Sequence, residues 1–191
     1  MTEPLYSFEG EHIFAQELFA DNALGDFLRS RGYQRDMLGN LIGLYSDPVA
    51  VAHIQSLPNG HPFKAALLDE NSGFGIVWHR GGPTSTGGGG FQKAKNAFLV
   101  EQIEDIMASG ASEDAKTAAL HNLFDFTWRL AKGTVLGPDG KPLGVMGDST
   151  AFQDTLTDTF MVVRSLTPTT STALIQITQA TIQQPPASMR R

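Results

Sequence analysis

Residues 74–133, FGIVWHRGGPTSTGGGGFQKAKNAFLVEQIEDIMASGASEDAKTAALHNLFDFTWRLAKG, carry the reading that decides the fold. FGIVW is a short β-branched and aromatic run, so it predicts a strand. A loop follows from His79 to Gly90, ending in four glycines. Phe91, Ala94, Phe98, Leu99, Ile103 and Ile106 then fall on one face of a helix over 91–108. Ser109-Gly110 breaks it. Ser112, with Glu113 and Asp114 behind it, opens a second helix with the acidic first turn that the helix dipole favours. Ala115, Ala119, Leu123, Phe126 and Leu130 form its apolar face, and Gly133 ends it. Two such helices with a short joint predict an antiparallel hairpin. A strand, a long loop and paired helices together predict an α+β chain.

Upstream, EHIFAQELFADNALGDFLRSRGY starts extended and becomes helical. Leu18, Phe19, Leu24, Phe27 and Leu28 suit a helix with a slip near Asn22 or Gly25, closed by Gly32. Leu41, Ile42, Leu44 and Tyr45 predict a strand. Ser46 is a candidate cap for the next helix, with Pro48 in its first turn, and that helix stops at Pro58-Asn59-Gly60. Residues 61–73 predict another partial helix. Beyond Gly133 the texture changes to a turn at Pro138-Asp139-Gly140. A helical stripe follows over 151–165 (Phe152, Leu156, Phe160, Val163), then a Thr-rich run over 166–182. The expected organisation is a lead-in (1–9), one domain (10–133), an extension packing on it (134–182) and a mobile tail (183–191).

The whole chain has 191 residues, enough for one domain with an appendage. It has no cysteine, which removes disulfide frameworks, cysteine zinc sites and thiol chemistry. The net charge of −6 argues against a broad electrostatic grip on nucleic acid, although Arg80, Lys93 and Lys95 form an acid-free local stretch. No run approaches the roughly 18 apolar residues of a membrane span. MTEPLYSFEG lacks the basic start and apolar core of a signal peptide.

Chemistry centres on Glu11-His12 and Asn40. A carboxylate can hold a hard cation while an imidazole takes a proton from water, and an amide from a second strand can complete the site. Phosphodiester hydrolysis needs these parts. The plain alternative is a surface pair at a strand edge. The Gly87–Gly90 loop before a helix is a candidate phosphate cradle, with Arg80, Gly87, Gly88 and Lys93 as contacts. It lacks Gly-Lys-Ser/Thr and any βαβ frame, and a simple loop is the alternative. His53 reads as a packed or boundary residue, and His121 as exposed. His61, before Pro62-Phe63, is a minor candidate for a His-Pro-aromatic element. Trp78, Phe124, Phe126 and Trp128 read as core, and no G-x-S-x-G elbow is present.

GEHIFAQELF (10–19), RGYQRDMLGNLIGLYSDP (31–48) and Trp78-His79-Arg80-Gly81-Gly82-Pro83 stand in an order that resembles the HNH/endonuclease VII superfamily. Within it, the nearest resemblance is to the bacterial polymorphic-toxin nucleases with an Ala-His-His signature. Gly10-Glu11-His12 stands at that signature. Gly32, Tyr33, Asp36, Asn40, Ile42 and Leu44 follow the family's second segment. The resemblance covers about residues 10–133. It implies a small ββα-metal core with an appended helical hairpin and a divalent cation, Mg or Zn. It also implies His12 as general base and Glu11, Asn40 and His79 as metal ligands. The implied setting is an antibacterial toxin effector, secreted or injected into a target cell and otherwise cytoplasmic. Its partners would be a DNA or RNA substrate and an immunity protein. The chain departs from the pattern where a histidine should precede Pro83: Gly82 stands there, and the tyrosine beyond is missing. The alternative reading is therefore an inactive HNH-like fold serving as a protein-binding module.

Overall fold

The computed structural model describes residues 6–79 and 90–135. The turn at 138–140, the stripe over 151–165, the Thr-rich run and the tail lie outside the described residues, as do Arg80, Gly87, Gly88 and the Lys93 side chain. The architecture is α+β. A mixed three-stranded sheet runs in the order β1 (Phe8–His12), β2 (Leu41–Tyr45), β3 (Phe74–Trp78). β1 pairs antiparallel with β2, Glu11 opposite Ile42 and Glu9 opposite Leu44, while β2 pairs parallel with β3. β1 thus begins inside the stretch read as lead-in.

Among the described residues five α-helices accompany the strands: α1 (Ala23–Ser30) between β1 and β2, α2 (Pro48–Ser56) and α3 (Pro62–Leu68) between β2 and β3, and α4 (Gly90–Ala108) and α5 (Glu113–Lys132) after β3. The slip expected near Asn22 is a real break. A single-turn helix, Gln16–Phe19, ends there, and the Asn22 side chain accepts from Gly25 N at 2.9 Å to start α1. Gly32 takes a positive φ of 83°, with Tyr33 N donating to Leu28 O at 3.1 Å to close the helix. Asp47, not Ser46, caps α2, its Oδ1 accepting from Val49 N at 2.8 Å. Ser46 instead bonds Ser7 and, through its carbonyl, the Trp78 indole. Ser112 caps α5, and Gly133 ends it at φ 77°, where a side chain would be strained.

Strand alternation divides the molecule into two cores. Ile42, Leu44 and Val77 face α4 and α5, joining Phe98, Leu99, Ile103, Leu120, Phe126 and Leu130. Their neighbours Tyr45 and Ile76 face the other way, onto Ala50, Val51, Ile54 and Leu67 of α2 and α3. α5 comes so close to β3 that a Cβ at Gly75 would run into the Ala131 carbonyl. Lys132, at the end of α5, turns its ammonium into four carbonyls, those of Leu67, Asp69, Ser72 and Phe74, at 2.7–2.9 Å. That ties α5 to the turn before β3. Among the described residues no helix is long and apolar enough to cross a membrane.

Candidate functional site

The same alternation puts Glu9 and Glu11 on the α4/α5 face of β1. His79, two residues beyond Val77, turns to that face too, and its main chain is held by Tyr45 O at 3.0 Å. The His79 ring sits between the two carboxylates: Nε2 lies 3.2 Å from Glu11 Oε2, and Nδ1 lies 3.3 Å from Glu9 Oε2. α4 supplies the remaining members from its first turns. The Gln92 amide nitrogen donates to Glu11 Oε2 and sits 2.9 Å from His79 Nε2. Lys95 Nζ donates to Glu11 Oε1 and to the His12 carbonyl. Glu11, His79 and Lys95 are all buried, with Lys95 wholly so, whereas Glu9 keeps 39 % of its side chain exposed at the rim.

Burial taken alone would push the Glu11 carboxyl up. Hydrogen bonds from His79, Lys95 and Gln92, with the charge of Lys95, reverse this and hold it at about 2. Burial draws the Lys95 ammonium below its ordinary value, against the opposing pull of Glu11. Among the described residues, the groups against the Glu11 carboxylate are the Gln92 amide nitrogen, the Lys95 ammonium and the His79 imidazole. An ionised carboxylate fixed on an imidazole can orient and polarise that ring for proton transfer.

Of the residues expected at the site, Glu11 and His79 come together. Asn40 does not join them. Fully buried, its Oδ1 accepts from Phe14 N at 2.7 Å, and its Nδ2 donates to Phe14 O at 3.0 Å and Arg35 O at 2.8 Å. It brackets the exit of β1 against the turn before β2, so its amide is spent on backbone groups that burial would otherwise leave unpaired. The His12 ring also stands apart, on the other side of β1 from the Glu11 carboxylate. Its Nε2 lies 3.9 Å from Asp36 Oδ1, buried and without a hydrogen-bond partner among the described residues. His53, read as packed or at the boundary, is exposed, with Tyr6 across an edge contact. His61 is exposed at the start of α3. His121 is exposed as expected, and its Nδ1 meets the Tyr33 hydroxyl at 2.5 Å.

The residues present do not fit a divalent cation at this place. Both Glu11 oxygens are committed to nitrogen groups, Asn40 is engaged elsewhere, and Lys95 brings its own positive charge to the carboxylate. Among the described residues no group of three or more His, Asp or Glu side chains is arranged to hold a metal. Sequence reading missed Glu9, Gln92 and Lys95. Lys95 had a signal: it stands four residues after Phe91 and three before Phe98, on the apolar stripe of α4. No match was found to a family model, a curated protein or a solved structure.

Proposed function

We propose that the protein cleaves phosphodiester bonds in nucleic acid. The observation that carries this is the juxtaposition of Glu11 and His79, from opposite edges of the sheet, at 3.2 Å. A buried carboxylate that fixes an imidazole beside a half-buried carboxylate can serve as an acid–base centre. His79 also leads in sequence directly into Arg80 and the glycine-rich stretch that suits a phosphate. In this reading the antiparallel β1–β2 pair and α4 are the counterpart of the HNH-like core, and His79 rather than His12 moves the proton. The setting that goes with it is a toxin effector acting inside a target cell and restrained by an immunity protein.

The test is nicking of supercoiled plasmid and cleavage of bulk RNA by the intact chain, with Mg²⁺, Mn²⁺, Zn²⁺ or a chelator. His79→Gln and His12→Ala are run beside it. Cutting lost with His79→Gln and kept with His12→Ala is the expected result. Loss with His12→Ala alone would return the role to the other face of β1.

A second reading, a protein-binding module, is favoured by an exposed aromatic group on the α2/α3 side. Tyr6, Phe8 and Phe63 are each 40–55 % exposed, and the Tyr6 and Phe63 rings meet at 5.9 Å. Absence of cutting under every condition would favour it.

A further inference from the structure

We infer that the outer edge of β1 is a docking site for an extended segment of another protein. The segment adds to the sheet as a further strand, with a bulky apolar residue opposite Gly10 and a basic residue opposite Glu9. Such docking is independent of whether the chain cuts nucleic acid. β1 lies at one edge of the sheet. Ile13 N donates to Asn40 O at 2.9 Å and Ser46 N to Ser7 O at 3.0 Å, flanking an unbroken β1–β2 register. Antiparallel alternation therefore turns the main-chain groups of Glu9 and Glu11 toward β2 and those of Phe8, Gly10 and His12 outward. Lys95 takes the His12 carbonyl. The main-chain groups of Phe8 and Gly10 have no hydrogen-bond partner among the described residues, and both residues are exposed.

Sheet proteins ordinarily close such an edge. On β3, at the other edge, the Gln55 amide of α2 donates to the Ile76 carbonyl at 3.0 Å. β1 has no proline, lysine or bulge to the same end. Its carboxylates guard it against one partner, a second copy of the chain. Antiparallel pairing of Gly10 with Gly10, Phe8 or His12 of another copy sets glutamate opposite glutamate in every case, and like charges directly opposite are destabilising. A strand with a basic residue there meets no such repulsion, and it complements a chain of net charge −6. Glu9 keeps its place beside His79 and still brings negative charge to that side of the edge. On the other face, a Cβ at Gly10 would meet nothing within 4 Å. Phe8, 55 % exposed, flanks this gap, its ring edge-on to Phe74 at 4.7 Å. A bulky apolar side chain laid opposite Gly10 fills the gap against the Phe8 ring. Main-chain bonds then supply the affinity, and the alternate side chains the selectivity.

The experiment uses the full chain and a short synthetic peptide with the core valine-lysine-tyrosine-lysine-valine, titrated by fluorescence anisotropy. Two further peptides carry glutamate for lysine, or an N-methyl group on the central tyrosine that removes its N–H and keeps its charge and ring. Saturable binding of the first peptide is expected, with each of the others weaker by about tenfold or more. Gly10→Pro removes the outward N–H and leaves the β1–β2 bonds in place. It should weaken binding by a similar factor, with its melting curve showing that it is folded. If it does not fold, the N-methyl peptide carries the same test on the parent chain. Hydrogen exchange supplies a second readout: the Phe8 and Gly10 amides should exchange freely in the protein alone and be protected by the peptide. Equal binding of the N-methyl peptide would mean that charge alone attracts it, and would overturn the inference. So would the absence of saturable binding. Amides already protected in the protein alone would also overturn it, the edge then being filled by the chain itself or, if sedimentation shows a dimer, by a second copy.

Discussion

At the scale of single residues, the Glu11–Lys95 pair decides most. Both side chains are withdrawn from water, and each compensates the other. Removing one partner leaves a buried charge alone, which costs about 3–5 kcal/mol. Glu11→Gln and Lys95→Met should each destabilise the protein by that order in urea unfolding. The double variant should recover much of the loss, because neither side chain then leaves an uncompensated charge in the interior. Additive losses in the cycle would mean that the pair does not interact as described. Half of this was legible beforehand. Glu11 and His79 are readable as partners because each carries a titrating group at the end of a strand run. Glu9 is not, since its role depends on which face of β1 the fold buries. Asn40 was misread because an asparagine ahead of a strand serves equally as a ligand or as a backbone bracket, and only burial separates the two.

At the scale of elements, local signals placed the strands and helices closely. The end residues of α4 and α5 follow from Ser112, the Ser109-Gly110 break and Gly133, all of which act within one turn. The sheet order and the parallel β2–β3 pairing were not legible, because they depend on contacts across α2 and α3. Two long-range contacts show what holds that arrangement. Lys132→Met would leave the carbonyls of Leu67, Asp69, Ser72 and Phe74 without their shared ammonium. A loss of about 3 kcal/mol is expected, read as a lowered urea midpoint. An unchanged midpoint would show that water replaces the ammonium without cost. Gly75→Ala would drive a methyl into the Ala131 carbonyl, so α5 must shift from β3. A loss of about 1–3 kcal/mol should follow, and a midpoint equal to that of the parent would contradict the close approach.

At the scale of the whole molecule, the sheet is a thin partition between two cores, and the charge cluster sits within one of them. That makes acid stability a readout of the site. The Glu11 carboxyl titrates at about 2 in the folded chain against 4.5 when free. A lowered folded value contributes stability that is fully present above about pH 4.5 and is lost as pH falls toward 2. The contribution at neutral pH is on the order of 3 kcal/mol. Exposed carboxylates held down by cations, Asp36 beside Arg35 and Glu113 beside Lys116 and Arg31, also titrate in acid. They are present in parent and variant alike, so they cancel in a difference. The Glu11→Gln/Lys95→Met variant should therefore lose less stability than the parent between pH 4.5 and pH 2, by about 3 kcal/mol. Urea midpoints taken across that range measure it. Parallel acid limbs in the two proteins would mean that Glu11 is not held as an anion in the folded state, and the orientation of His79 by a charged carboxylate would fall with it.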